Sequence, residues 1–112
     1  MSTIDFFRDG EIATLTLNNP GKLNAINLGM WNALAQKMAE ISVDRSIRCV
    51  VLRGAGSEAF AAGGDLEEFV TGRATLEQAL HYHGQVALAL QAIDTCPHPT
   101  VALIQGACIG GG

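Results

Sequence analysis

Two glycine-rich stretches hold the residues of this sequence best suited to chemistry. The first, FAAGGDL, covers residues 60–66, and the second, GACIGGG, covers residues 106–112. Each follows an apolar run typical of a buried strand, at residues 49–52 and 101–104. Glycines remove side-chain bulk, so a ligand can approach backbone N–H groups closely. Two such turns at neighbouring strand ends could aim two amides at one developing negative charge, which is the design of an oxyanion hole.

The composition indicates a single folded domain that is acidic rather than basic. The 112 residues are at most one domain, and a hydrophobic fraction of 48% is enough for a core. Seven basic residues stand against eleven acidic ones, giving a net charge of −4 without a basic cluster. A nucleic-acid partner is therefore not expected. The three cysteines are far apart and form no C-x-x-C motif, which predicts reduced thiols and a cytoplasmic location.

Membrane, secretion and metal signals are not found in the sequence. No apolar run reaches the roughly 18 residues of a membrane span. The N-terminus does not place a basic region before an apolar one, as a secretory signal does. His81 and His83 are two residues apart on a predicted helix, so they point to different faces and are not expected to share a metal ion.

The first half of the sequence predicts a β-hairpin followed by an amphipathic helix. Two runs of apolar and β-branched residues, 4–8 and 12–17, flank Asp9-Gly10, which is a strong hairpin signal. Asn27 is a suitable N-cap. Apolar residues then recur at spacings of three and four to about residue 42, as one stripe of a helix requires. The members of this stripe are Leu28, Trp31, Leu34, Met38 and Ile41.

The second half predicts two more strands separated by helices. Residues 47–53 contain the continuous apolar run CVVL, which is typical of a strand buried on both faces of a parallel sheet. We expect a short helix over residues 65–70 and a longer one that begins with a Thr75–Gln78 capping box and ends near Asp94. The last strand is expected over residues 100–105. The buried side of the longer helix is assigned to Leu76, Leu80, Val86, Ala87, Leu90 and Ile93.

This alternation of strands and helices predicts the α/β class, with a largely parallel sheet and covering helices. The last strand is not followed by a crossover helix, so one face of the sheet would be exposed. Residues 1–112 are therefore expected to be the N-terminal part of a single, longer domain.

Three segments of the sequence resemble the crotonase family of enoyl-CoA hydratases and isomerases. They are NNPGKLNAIN at residues 18–27, VVLRGAGSEAFAAGGDL at 50–66 and PTVALIQGACIGGG at 99–112. The segments keep the order and spacing of the family, over the first half of a typical member. The resemblance implies an incomplete spiral of ββα turns, an acyl-CoA thioester substrate and a homotrimer or hexamer of the complete protein. It implies no separate cofactor, because coenzyme A enters with the substrate.

The resemblance also assigns roles to individual residues. The amides of Gly64 and Gly111 match the pair that polarises the thioester carbonyl. Lys22, Leu23 and Ala25 match the loop that lies along the coenzyme A moiety. The remaining substrate-binding positions match the part that lines the adenine and thioester channel, and they are Ala62, Asp65 and Leu66.

Hydration of a trans-2-enoyl-CoA to a 3-hydroxyacyl-CoA is the reaction that the resemblance favours. In family hydratases, one glutamate two residues past the GGG block and a second further on handle water and proton. Both positions lie beyond Gly112, so the isolated chain is expected to be inactive. An isomerase, a hydrolase or an inactive CoA-binding fragment are the alternatives. Glu67 stands where many hydratases have a lysine, which weakens the local attraction for the phosphates of coenzyme A.

Simpler interpretations of the same residues remain open in the sequence. The glycines could be ordinary turn residues, Lys22 could be a solvated loop charge, and Asp65 could cap the helix after it. The spacing Gly54-x-Gly56-x-x-Ala59 matches a dinucleotide-binding fingerprint. That fingerprint needs a continuous helix from about residue 57, and the Gly63-Gly64 pair in the second turn disfavours one.

Overall fold

Six strands and three helices make up residues 1–71 and 75–112, which are the residues that this computed structural model describes. The strands are β1 (Thr3–Asp9), β2 (Ile12–Asn18), β3 (Cys49–Gly54), β4 (Ala59–Ala61), β5 (Thr100–Leu103) and β6 (Ala107–Cys108). The helices are α1 (Leu28–Ser42), α2 (Leu66–Thr71) and α3 (Leu76–Asp94). From the sequence, Thr71 and Gly72 are also expected to end the short helix predicted over residues 65–70, and Gly72 lies outside the described residues. None of the described helices is long and apolar enough to cross a membrane.

The main sheet has the strand order β1-β2-β3-β5. The predicted hairpin is confirmed, because β1 and β2 pair antiparallel and Gly10 takes a positive φ of 60° in the turn between them. Strand β2 pairs parallel with β3, and β3 pairs parallel with β5. The expectation of a largely parallel sheet is therefore confirmed.

Helix α1 forms as its sequence pattern predicts and supplies much of the core. The Asn27 side chain accepts a hydrogen bond from the Met30 N–H at 2.9 Å, so Asn27 is the N-cap. The predicted stripe faces the sheet and α3, and only Leu28 among its members is half-buried rather than buried. Its partners on the sheet are the alternate residues of β2 and β3, which are Ala13, Leu15, Leu17, Val50 and Leu52.

Helix α3 begins with the predicted capping box of Thr75 and Gln78, but its predicted buried side is largely wrong. Tyr82 and Ala89 are buried, with Val86 and Ile93 half-buried beside them, at spacings of four, three and four. The three leucines that were predicted to be buried lie instead on a second apolar stripe of the helix, which is exposed among the described residues. The exposed residues of the predicted set are Leu76, Leu80, Ala87 and Leu90.

Strand β3 is buried on one face and half-buried on the other, so the prediction that both faces are buried is confirmed for one face only. Val50 and Leu52 are buried, whereas Cys49 and Val51 are half-buried. The buried pair points toward α1 and its core partners, and no described helix packs on the other face to the same extent. Strand β5 beside it keeps Val101 and Leu103 exposed.

A second, two-stranded parallel sheet of β4 and β6 was not predicted. Ala59 pairs with Ala107, and Ala61 pairs with Cys108. The chain can turn from β3 into β4 because residue 54 is glycine, since a Cβ atom at Gly54 would collide with the carbonyl oxygen of Ala59. Because β4 is a strand, the helix that a dinucleotide-binding fingerprint needs at this point is not formed, and that interpretation is wrong.

Leu34 and Leu80 provide a matched test of the helix packing, because both are leucines within helices. Leu34 of α1 is 3% exposed, whereas Leu80 of α3 is 64% exposed. We expect Leu34→Ala to lower the free energy of unfolding by about 2–5 kcal/mol, and Leu80→Ala to change it by less than about 0.5 kcal/mol. Urea denaturation followed by circular dichroism measures both values. Similar losses in the two variants would show that the buried face of α3 is assigned incorrectly.

Candidate active site

Two loops are joined by backbone hydrogen bonds at the centre of the candidate site. The Ala62 N–H donates to the Leu23 carbonyl at 3.0 Å, and the Ile26 N–H donates to the Gly63 carbonyl at 2.8 Å. The Asp65 N–H donates in turn to the Ile26 carbonyl at 3.2 Å. These bonds form a parallel bridge between Ile26 and Gly64. They fix the main chain on both sides of Gly64, which is the predicted amide donor.

The amides of Gly64 and Gly111 lie close together and are not engaged elsewhere. Across residues 1–71 and 75–112, neither N–H donates a hydrogen bond within the chain. A Cβ atom placed on Gly111 would be 4.0 Å from the Gly64 nitrogen, and one placed on Gly63 would be 3.9 Å from the Gly111 nitrogen. Unpaired, adjacent backbone donors are the equipment that an oxyanion hole requires.

Close approach of the chain explains why glycine is needed around these amides. Gly63 has a φ of +102°, and a Cβ atom there would be 3.1 Å from the Ile109 carbonyl oxygen. A Cβ atom on Gly111 would be 3.3 Å from Cζ2 of the buried Trp31. The Trp31 ring therefore packs against the turn that contains the second amide. The turn itself is closed by the Gly112 N–H, which donates to the Ile109 carbonyl at 2.9 Å.

Two buried asparagines hold the loop that contains Lys22, Leu23 and Ala25. Leu23 and Asn24 both take positive φ angles, 51° and 58°. The Asn24 amide group donates at 3.0 Å to the carbonyls of Ala55 and Ala59, and its Oδ1 accepts from the Asn19 N–H at 3.1 Å. Neither Asn19 nor Asn24 was predicted as a site residue, although asparagine at position 24 is, after glycine, among the residues that best tolerate a positive φ.

A cluster of three charged side chains closes one side of the site. Lys22 Nζ is 3.2 Å from Oδ2 of Asp65 and 3.0 Å from Oε2 of Glu67. Hydrogen bonds to Glu67 and then to Asp65 stabilise the ammonium form and raise the pKa of Lys22 above its ordinary value. Asp65 also accepts the Glu67 N–H at 3.0 Å through Oδ1, and it therefore caps α2 as the simpler interpretation predicted.

The predicted binding residues line two neighbouring clefts. A cleft of about 250 Å³ is lined by Lys22, Ala25, Ala62, Gly64, Asp65, Leu66 and Glu67. A larger cleft, of about 550 Å³, is lined by residues 18–21 with Leu23 and Asn24 and by residues 55–59. The smaller cleft contains the unpaired Gly64 amide and the charged cluster, so it is the one equipped for chemistry. Leu23 lies on the larger cleft, and Gly111 lies next to Gly64. The roles of these residues remain predictions.

Glu68 links α2 to α1 and α3 through hydrogen bonds of its side chain. This structural role was not predicted from the sequence. Oε1 of Glu68 accepts the Leu28 N–H at 2.8 Å and the Tyr82 hydroxyl at 3.1 Å. Leu28 opens α1, and Tyr82 lies in the middle of α3 at 1% exposure. A carboxylate near a helix N-terminus is also favoured by the helix dipole. Glu68 therefore fixes the N-terminus of α1 relative to α2. Helix α2 begins two residues after Gly64.

Comparison with known proteins shows the family to which the chain belongs. The family model for enoyl-CoA hydratase/isomerase matches residues 12–112. The chain belongs to the crotonase family of enoyl-CoA hydratases and isomerases. The crystal structure of an enoyl-CoA hydratase/carnithine racemase from Magnetospirillum magneticum is 51% identical and superimposes with a TM-score of 0.94, over 99% of this chain and 42% of that chain. The crotonase fold expected from the sequence is thus confirmed.

Relatives within the crotonase family carry the names of different reactions. A mitochondrial 3-hydroxyisobutyryl-CoA hydrolase of Bos taurus is 34% identical over 94% of this chain and 28% of its own length. A mitochondrial Δ(3,5)-Δ(2,4)-dienoyl-CoA isomerase of Dictyostelium discoideum is 34% identical over 90% of this chain and 37% of its own length. The chain therefore spans less than half the length of these relatives, and family membership alone does not choose among their reactions.

The Glu68 contacts predict unequal effects for two adjacent glutamates. Glu68→Ala removes the acceptor of two hydrogen bonds, so we expect it to lower the free energy of unfolding by about 1–3 kcal/mol. Glu68→Gln keeps an acceptor oxygen and should lose less. Glu67→Ala removes only an exposed ion pair and should cost less than about 1 kcal/mol. Thermal and urea unfolding measure all three, and equal losses at the two positions would contradict the role given to Glu68.

Proposed function

We propose that the complete protein hydrates a trans-2-enoyl-CoA to a 3-hydroxyacyl-CoA, with the N–H groups of Gly64 and Gly111 as the oxyanion hole. The observation that carries the proposal is the adjacent pair of backbone amides that donate no hydrogen bond within the described residues. Family membership supports an acyl-CoA thioester as the substrate class, since the names of the relatives specify CoA esters.

Addition of water creates charge at the place where these amides would point. When the water oxygen bonds to the β-carbon, the double-bond electrons move through the α-carbon onto the thioester oxygen and form an enolate. A proton then adds to the α-carbon, and the carbonyl is restored. Each preorganised donor to the enolate oxygen is typically worth about 3 kcal/mol of barrier. Backbone donors suit this role because they do not titrate, and the step needs no resident cofactor.

The proton transfers need a base and an acid, and neither glutamate of the site suits that role. Glu67 is paired with Lys22, and Glu68 accepts hydrogen bonds from Leu28 and Tyr82. We therefore assign the proton transfers to glutamates of the complete protein outside residues 1–112. Lys22, Leu23 and Ala25 on one loop, with Ala62, Asp65 and Leu66 on the other, are proposed to hold the coenzyme A portion.

A hydrolase or an isomerase is the second candidate, favoured by the relatives that carry those names. Isomerisation also passes through an enolate, and thioester hydrolysis passes through a tetrahedral oxyanion. The same two amides could stabilise either species. Product analysis separates the reactions: hydration gives a 3-hydroxyacyl-CoA, isomerisation moves the double bond, and hydrolysis releases free coenzyme A.

Gly64→Pro in the full-length protein tests the oxyanion hole, because proline has no N–H. The Gly64 N–H makes no internal hydrogen bond in the described structure, so its loss leaves the fold's own bonds intact. We expect kcat for crotonyl-CoA to fall by about 10²–10³-fold. The infrared carbonyl band of a bound thioester should also shift less from its solution position than in the unmodified protein.

Two controls accompany the Gly64→Pro measurement. An unchanged melting temperature and retained coenzyme A binding show that the variant is folded and that its cleft is intact. A folded variant with the turnover of the unmodified protein would overturn the assignment of Gly64. If the unmodified protein does not bind coenzyme A, the proposed class of substrate is wrong.

A further inference from the structure

The smaller cleft has an unfavourable charge balance for an anionic ligand. Among its lining residues, Lys22 is the cation, and Asp65 and Glu67 are the anions. Both carboxylates contact the same ammonium group, at 3.2 and 3.0 Å. The cluster therefore carries a net charge of −1, and its cation is already occupied. A ligand phosphate that binds Lys22 must therefore compete with two carboxylates.

The two carboxylates differ in how firmly they are held. The Asp65 side chain is 8% exposed, and its other oxygen accepts the Glu67 N–H, so it is fixed at the start of α2. The Glu67 side chain is 81% exposed, and Lys22 is its one side-chain partner within the described residues. An exposed ion pair of this kind is weak and exchanges readily, whereas the buried partner stays in place.

We propose that Glu67 is an affinity-setting residue: its carboxylate occupies the Lys22 ammonium as an internal counter-ion and must be displaced before a phosphate of the ligand can bind there. The inference rests on the proposed function, since it takes coenzyme A as the ligand of this cleft. Asp65 keeps the ammonium in position during the exchange. Glu67 then lowers the affinity for phosphate-bearing ligands and leaves the affinity for uncharged ones unchanged.

The size of the effect follows from the exposure of the pair. Removing the Glu67 charge frees Lys22 and also removes a repulsion between the carboxylate and the phosphate. For a solvent-exposed pair, the expected gain is about two- to fivefold in affinity. The gain should shrink as ionic strength rises, because exposed charges are screened.

Calorimetric titration of the full-length protein with coenzyme A and with pantetheine tests the proposal. Pantetheine has the same thiol arm without phosphates. We expect Glu67→Gln to bind coenzyme A about two- to fivefold more tightly than the unmodified protein, with pantetheine affinity unchanged. Glu40→Gln is the matched control, because it removes the same charge from another exposed Lys–Glu pair, 3.4 Å from Lys37 and outside the cleft. It should leave both affinities unchanged.

A double-variant cycle shows whether the effect passes through Lys22. In the Lys22→Gln background, Glu67→Gln should tighten coenzyme A binding less, because only the repulsion between carboxylate and phosphate is then removed. A gain of the same size in both backgrounds, or a Glu67→Gln protein that binds like Glu40→Gln, would overturn the inference while the proposed function stands. If the unmodified protein does not bind coenzyme A at all, the proposed function fails instead. Thermal melting of each variant confirms that it is folded.

Discussion

The backbone bridge between residues 23–26 and residues 62–65 is the interaction on which the site depends. Ile26 uses both its N–H and its carbonyl in this bridge, toward Gly63 and Asp65. The bridge uses the Gly63 carbonyl and the Asp65 N–H, and it leaves the Gly64 N–H between them unpaired within the described residues. Hydrogen bonding thus does two things at once, since it holds the loop rigid and selects which donor remains available. A side-chain donor at this point would need its own support and would lose rotamer freedom.

A second constraint, which is steric, places the Gly111 amide beside the Gly64 amide. The chain leaves β3 through Gly54 and enters β6 through Gly106, and at each of these positions a Cβ atom would collide with the carbonyl of Ala59 or Glu58. These approaches align β4 with β6, so the turn after β6 comes to rest beside Gly63. Trp31, held in the core by α1, then supports Gly111 from below. The place of Gly111 beside Gly64 therefore depends on close backbone approaches and on contact with the buried Trp31.

The sequence predicted those parts of the fold in which local pattern and tertiary packing agree. Asn27 at the start of α1, the Asp9-Gly10 hairpin and the Thr75 capping box follow from local chemistry and were predicted correctly. The buried face of α3 was not, because that helix has two apolar stripes and periodicity cannot say which one meets α1. The short β4–β6 pairing was missed because it joins residues almost fifty positions apart.

The candidate site, like the fold, could be predicted from the sequence only in part. Its glycines could be proposed from sequence, because glycines after strand-like runs allow a ligand to approach the backbone N–H groups. The side chains that hold the loops could not, because Asn24 and Glu68 act through contacts 31 to 40 residues away.

The charged residues of the site also explain why adjacent acids have different tasks. Asp65, Glu67 and Glu68 lie within four positions, yet α2 turns them toward a capping site, the Lys22 ammonium and the base of α1 respectively. Each carboxylate contacts a donor of the chain, firmly for Asp65 and Glu68 and through an exposed ion pair for Glu67. The N–H groups of Gly64 and Gly111, in contrast, have no hydrogen-bond partner in the described chain. Under the proposed function, these neutral donors would stabilise a developing negative charge without the change in protonation that an acid would require.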